Sequence, residues 1–547
     1  MSVKTLLIGL DGATFSVLDP LMEQGVMPFL KSFLAEGARA NLRTIVPPLT
    51  PPAWTSLMTG RTPGQHGVFD FFRMESAAGR HIRFFNSNDV QCDTIWSLAS
   101  RQGMRVTSLN FPAMFPAPKI SGHVVPGWVP WRQLRLACWP EDLLDRLKTI
   151  PGFNQRELAM DIKLEEKATE GCSNREEYGP WIELHIRREQ NWFEILRHLI
   201  QEDPSELTAV LFDGVDKLQH LCWRFLRPED AKPLDADWEF TVRELCLKYF
   251  RQLDGLLEQM CELAGPQATV MMASDHGFGP TYEVFHINTW LQKNGYLAWS
   301  EGAAARDTEG AVLGVGQVAR HTWLLDWSRT TAFATTPTSN GIHIAVNRDG
   351  NSPGVPVAEY PAFRRRLVEQ LRAFRDPKTQ EPIVTEIWTR EEAFSGPHAE
   401  AGPDLTLILR DGGLVSILPA PEPLSQRSTI GGAHRPIGVF AARGPGMKAG
   451  ITAREMSILD VAPTVLYSLG LGVPCEMQGR VAEELYHPES LDSHPVRRVK
   501  AGPAGVNGSA HSAVNSSALP SQNGSGAPPL EYEEAVLDRL RELGYIE

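Results

Sequence analysis

The sequence predicts an α/β fold: a doubly wound, mostly parallel sheet with helices on both faces and inserted cap segments. Three observations carry that expectation. Short apolar β-rich runs recur and end in Gly or Asp, as buried strands of a parallel sheet do. Amphipathic stretches of helical period lie between them. The chain of 547 residues, 42% hydrophobic and 22% charged, has the composition of a globular protein and exceeds one ordinary core.

The runs are "TLLIGL" (5–10), "LTAVLF" (207–212), "ATVMMA" (268–273) and "LTLIL" (405–409), all read as strands of the parallel sheet. Residues 27–37 place Phe29, Leu30, Phe33 and Leu34 on one helical face, with Gly37 as a C-cap. Residues 237–263 form a longer amphipathic helix leading into the strand at 268. Segment 115–200 contains Trp128, Trp131, Trp139, Trp181 and Trp192, many charges and few strand signals, and reads as a cap insertion with its own small core. Residues 300–400 read as a second, irregular insertion. The main domain is therefore expected over 1–490, and "VRRVK" (496–500) falls at the solvated start of a linker spanning 491–530. Residues 501–529 are Gly, Ser, Ala, Asn and Pro with almost no large apolar groups, too few to offset ordering entropy. Residues 531–547 contain "EYEEAVLDRLREL", a short helix stopped by Gly544 that is expected to dock on the body or on a partner.

A net charge of −13 argues against a surface that tracks a nucleic-acid polymer. Residues 6–10 are too short for a signal-peptide core, and no apolar run of about 18 residues suggests a membrane span. Cysteines 92, 138, 172, 222, 246, 261 and 475 lack CxxC spacing and read as reduced thiols of a cytoplasmic protein.

The chemistry concentrates where strands end. Asp11, Asp216 and Asp275 each lie at or just beyond an apolar run, and ligands of open α/β sheets bind outside the carboxyl ends of strands. Any one of them alone is more often a turn or N-cap residue; three with accompanying histidines shift the balance. Asp216 and His220, four apart, share one helical face. Asp275 and His276 stand adjacent in "SDHG", and His434 sits in the Gly-rich "GGAHRPIG", expected as a loop after the strand at 405. Carboxylate and imidazole ligands suit zinc, and also manganese or iron. In "LTPPAW" (49–54), Thr50 precedes two prolines and stands where a helix can begin, a position that favours an anion.

Taken in order, "GLDG" (9–12), "TPPAWTSLMTGRTPGQHGVFDF" (50–71), "DKLQHLCWRF" (216–225), "SDHGFGP" (274–280), "HINTWLQKNGYL" (286–297), "GAHRPIG" (432–438) and "SILDVAPTVLYSLGLGVPCEMQGR" (457–480) resemble the alkaline phosphatase superfamily, in its type I phosphodiesterase/nucleotide pyrophosphatase branch. The ending "LDRLRELGYIE" is similar to tails of bacterial members. The resemblance implies an alkaline-phosphatase-like fold and two divalent metal ions, usually zinc, with Asp11, Thr50, Asp275 and His276 around one and Asp216, His220 and His434 around the other. It implies a small-molecule phosphoester, a phosphodiester or nucleotide-type pyrophosphate, attacked by Thr50 to give a phosphothreonine that water then hydrolyses. Two inversions would leave net retention at phosphorus.

One position departs from that pattern. Members of this branch often carry an asparagine three residues after the nucleophile, donating to a phosphoryl oxygen; here it is Ala53. Loss of such a donor costs about 2.7–4 kcal/mol in the transition state unless Lys217, Arg435 or an insertion residue replaces it. A catalytically weak binding or regulatory protein of the same fold, or a phosphoryl or headgroup transferase, are the alternatives. A sulfatase lacks its nucleophile motif here, and a phosphoglycerate mutase would prefer serine and manganese. His66 reads as a structural turn histidine, and His123, His286 and His343 as core or surface residues.

Overall fold

The computed structural model describes residues 2–74, 82–158, 175–300, 322–348 and 350–500; the linker beyond residue 500 and the expected terminal helix lie outside them. In chain order the strands that build the site region are β1 (Thr5–Leu10), β2 (Ala38–Arg43), β3 (Val106–Leu109), β4 (Gly122–Val125), β5 (Leu207–Phe212), β6 (Thr269–Ala273), β7 (Gly277–His286), β8 (Leu414–Ser416), β9 (Leu424–Arg435) and β10 (Ile437–Arg443). The main helices are α1 (Pro28–Glu36), α2 (Thr50–Thr59), α3 (Arg175–Glu202), α4 (Gly214–Leu226) and α5 (Asp237–Ala264).

The central sheet runs Ile451–Thr452, β2, β10, β6, β1, β5, β3, β4, with Met456–Ser457 also paired to β2. Strands β6, β1, β5, β3 and β4 are parallel, whereas β10 runs antiparallel to both β2 and β6. Register aligns Leu10 with Phe212 and Gly9 with Ala273, so β1, β5 and β6 end side by side. Strand alternation divides the core between the two faces. Leu6, Ile8 and Leu10 pack with Val210, Phe212, Val270 and Met272 under α1, α3, α4 and α5. Leu7 faces the other way, into Ala209, Leu211, Met271, Trp54 and Trp96. Each buried branched or aromatic side chain contributes about 1.5–3 kcal/mol, which makes this register costly to slip.

Several expectations change in the structure. The run Leu405–Leu409 is a strand of a separate four-stranded antiparallel sheet with Ala332–Phe333, Gly341–Ile344 and Val384–Thr389. Its apolar pattern reports cover on both sides, here by Phe363, Leu367 and Leu371 of the helix Tyr360–Ala373, and carries no information on which sheet it joins. Segment 300–400 is accordingly more regular than expected, and segment 115–200 supplies β4 to the central sheet. Gly37 is extended rather than a left-handed cap; a Cβ there would lie 2.4 Å from the Ala442 carbonyl of β10, so close approach of backbone requires the glycine. Within the stretch expected as linker, Arg498–Val499 pairs with Val473–Pro474.

Candidate metal centre

Five elements meet at the carboxyl edge of the sheet. Asp11 follows β1. Thr50 is the first residue of α2, where Pro51 and Pro52 fit a first helical turn that needs no N–H donors. Asp216 and His220 project from one face of α4, and Asp275 and His276 follow β6. His434, expected in a loop, lies on β9 opposite Phe278 of β7. The antiparallel ladder rather than a flexible loop holds it. All seven side chains expected to bind metal are thereby brought together, from positions as far apart as 11 and 434.

The histidine rings are oriented alike. Nδ1 of His220 lies 3.2 Å from the Gly432 carbonyl, that of His276 3.1 Å from the Gly277 carbonyl, and that of His434 2.9 Å from the Pro48 carbonyl. A carbonyl only accepts, so Nδ1 carries the proton and Nε2 presents a lone pair to the site, the tautomer of a metal ligand. Nε2 of His220 and Nε2 of His434 face each other at 3.0 Å, a repulsive arrangement unless a cation or proton lies between them. Asp216 Oδ1 stands 3.4 Å from Nε2 of His220, 3.3 Å from that of His434 and 4.0 Å from that of His276. His276 Nε2 is also 3.6 Å from Asp11 Oδ1 and 3.2 Å from Asp275 Oδ2, and it accepts the Thr50 hydroxyl at 3.1 Å.

Three carboxylate oxygens, Asp11 Oδ1, Asp216 Oδ1 and Asp275 Oδ2, are shielded from solvent without a hydrogen-bond partner. Unpartnered buried oxygens facing imidazole lone pairs fit divalent cations. Two groups of potential ligands result: Asp11 with Asp275 and His276, and Asp216 with His276 and His434. His220 adjoins the second group through Asp216 and His434. Burial, then the charges of Asp275 and Asp216, hold the Asp11 carboxyl far above the usual carboxylate range. Burial also raises Asp275, against a hydrogen bond from the Gly12 amide at 3.1 Å. At Asp216 burial is outweighed by His220 and His434, which hold it well below that range. Burial and then His434 keep His276 neutral.

The supporting layer was not foreseen. Trp54 donates its indole N–H to Asp11 Oδ2 at 3.3 Å, and Gln219 donates to the Gly12 carbonyl at 2.8 Å. Gly12 has φ +65°, and a Cβ there would meet Phe278 at 2.8 Å. Phe278 contacts all three imidazoles, edge-on to His220 and His434 and tilted against His276. Trp54 and Phe278 lie inside the quoted motifs, so their positions were available as a signal. Glu189 was not: it comes from α3, accepts the Gly214 amide at 2.8 Å and the Tyr249 hydroxyl at 3.0 Å, and so fixes the start of the helix carrying Asp216 and His220. Beside it Arg188 and Asp213 form a buried ion pair at 3.2 Å. His66 accepts from the Val68 amide and pairs with Ser56, and burial pushes it down to about 3, the structural role expected of it. Arg435 does not replace the donor missing at Ala53, because its guanidinium is committed to the carbonyls of Pro280, Ala433 and His434.

A mostly parallel sheet with helices on both faces, ending in an acid–imidazole constellation beside a helix-start threonine, defines an alkaline-phosphatase-like phosphoester hydrolase. The family described as type I phosphodiesterase/nucleotide pyrophosphatase matches residues 5–434, and the chain belongs to it. No curated protein matches the sequence. Among solved structures, an inactive form of murine ectonucleotide pyrophosphatase/phosphodiesterase 5 in complex with AMP is similar at 12% identity, with 89% of this chain and 100% of that chain covered and a TM-score of 0.51. The human protein of the same name shows 13% identity over 88% and 100% of the two chains, TM-score 0.47. Phosphonoacetate hydrolase from Sinorhizobium meliloti 1021, in complex with phosphonoacetate, shows 15% identity over 85% and 95%, TM-score 0.47. Among the described residues no helix is long and apolar enough to cross a membrane.

Proposed function

We propose that the protein hydrolyses a phosphodiester or a nucleotide-type pyrophosphate of a small molecule, with Thr50 as the nucleophile and a phosphothreonine as the intermediate. The observation that carries this reading is the cluster of three unpartnered buried carboxylate oxygens and three imidazole Nε2 atoms, one of which, that of His276, meets the Thr50 hydroxyl. Asp11, Asp275 and His276, with Thr50, would hold one divalent cation, and Asp216, His220 and His434 a second, zinc being the best match to the ligand set. When bound, such ions supply the positive charge that lowers a hydroxyl pKa and neutralises the attacking and leaving oxygens.

The chain's own residues do the rest. His276 Nε2 accepts a hydrogen bond from the Thr50 hydroxyl in the resting arrangement and fixes the direction of Oγ1. The start of α2 aims the positive end of its dipole at the incoming phosphoryl group. Trp54 and Glu189 hold Asp11 and the first turn of α4 in place. Attack by Oγ1 on phosphorus expels an alcohol or phosphate, and hydrolysis of the phosphothreonine restores the hydroxyl.

Turnover of bis(p-nitrophenyl) phosphate, lost on exhaustive chelation and restored by zinc, is the direct test. Full activity in T50A would reject the nucleophile, and full activity after metal removal would reject the metal reading. A product formed with added alcohol acceptors would point to transfer instead of hydrolysis.

A further inference from the structure

The first turn of α2 is poor in donors. Pro51 and Pro52 have no N–H, the Ala53 amide is bonded to the Leu49 carbonyl, and Ala53 brings no side-chain donor. Arg435 is spent on strand carbonyls of β7 and β9. The proposed ligand set also leaves little positive charge for a substrate. Three carboxylates against two divalent cations leave one net positive charge, and ionising Thr50 removes it.

One cation beside the site has no employment. Arg427 opens the interruption of the β9 ladder, where register with β7 is lost between Gln426 and Gly431. Its Nη1 is shielded from solvent and has no hydrogen-bond partner, and its guanidinium makes no ion pair among the described residues. Burial pushes its pKa down, against only the through-space charges of Asp411 and Tyr178. Asp411 is not a contact partner for it; that carboxylate accepts the amides of Tyr282 and Gly413. Arg427 nevertheless lies beside the main chain of His220, one of the candidate ligands. A Cβ on Gly431 would sit 2.9 Å from Arg427 Nη2 and 2.6 Å from the His220 carbonyl oxygen, so the two atoms are at most 5.5 Å apart, that is 2.9 plus 2.6. Glycine at 431 permits this approach. His220 is the most exposed of the candidate ligands, its side chain 39% accessible, so the centre is open to solvent at the residue whose main chain Arg427 adjoins. A guanidinium nitrogen held out of water, with no counter-ion among the described residues, fits a site completed by its ligand.

We infer that Arg427 is a specificity-determining residue that receives a second anionic group of the substrate, a phosphate or a carboxylate, while the scissile phosphorus lies at Thr50. This rests on the proposed phosphoester reading and deepens it: the substrate class becomes a phosphoester with an additional anionic group.

Three substrates test it with wild type, R427M and R427K: bis(p-nitrophenyl) phosphate, which has one anionic group; diadenosine pyrophosphate, which has a second phosphate; and the p-nitrophenyl phosphodiester of glycolic acid, which has a carboxylate. R427M is expected to lower kcat/KM by about 10- to 100-fold for one or both doubly anionic substrates, the scale of a lost charged hydrogen bond, while bis(p-nitrophenyl) phosphate stays within about twofold. R427K is expected to recover part of the loss. Which substrate suffers identifies the group as phosphate or carboxylate. Equal losses on all three, or none on any, overturn the inference and leave the hydrolase reading standing. If wild type turns over none of them, that reading fails instead; calorimetric titration of inorganic pyrophosphate into wild type and R427M then decides, with about tenfold weaker binding upholding the Arg427 site and unchanged binding overturning it. Ligand-free R427M is expected to melt no lower than wild type, because it loses a buried charge without a partner. A clearly lower melting temperature means the guanidinium is structural and overturns the assignment.

Discussion

Binding of zinc to the metal-free protein is expected to release protons in a countable way. Burial raises Asp11 and Asp275 above the usual carboxylate range in the metal-free site, and a cation bound between them favours their ionised forms. Asp216 is already ionised, and His276 is already neutral. The raised carboxyls therefore supply protons on binding, and ionisation of Thr50 a further one. Repulsion makes the count plausible: two like unit charges about 4 Å apart cost about 4 kcal/mol at an effective dielectric of 20, which protonation relieves in the empty site and a cation relieves in the filled one. Each linked proton makes zinc affinity rise by about tenfold per pH unit, or about 1.4 kcal/mol. The assay is calorimetry of zinc binding at pH 7 in buffers of different ionisation enthalpy, whose slope is the proton number. T50A should release about one proton fewer. Release of less than about half a proton by wild type would refute the argument that the carboxyls are raised by mutual burial.

Other outcomes follow from the same geometry. T50A should lose three or more orders of magnitude in phosphodiesterase turnover, about the scale of deleting a nucleophile, with zinc content by elemental analysis unchanged. W54F removes the donor to Asp11 and should weaken zinc binding by about 10- to 100-fold in a chelator-competition titration. Glu189 is pushed up to about 8 by burial and then by Asp213, so the folded state holds a proton that the unfolded state loses near its ordinary value of 4.5. Wild-type stability from this group is present below 4.5 and is lost as pH rises toward 8; E189Q escapes that loss. Denaturant unfolding should show the E189Q advantage growing by about 1.4 kcal/mol per pH unit between those limits, whereas parallel curves would disprove a buried protonated Glu189.

Local pattern alone made much of the protein legible. Apolar runs at 5–10, 207–212 and 268–273 announced buried parallel strands because both faces of such a strand must be covered. The spacing of Asp216 and His220 announced a shared helical face, and the prolines after Thr50 announced a helix start. Those properties are written in residues near one another in the chain. The tertiary structure decided what no local window contains. It set Leu405–Leu409 in a second sheet, made His434 a strand residue, and turned three Nδ1 atoms to carbonyls so that three Nε2 atoms meet three carboxylates. It also brought Glu189 to Gly214 and left Arg427 beside the His220 main chain without an ion-pair partner among the described residues. Periodicity reports how much of a side chain is buried, but not against which neighbour. Electrostatic partners are fixed only when distant segments share one low-dielectric space, and there the charge of each group depends on all the others.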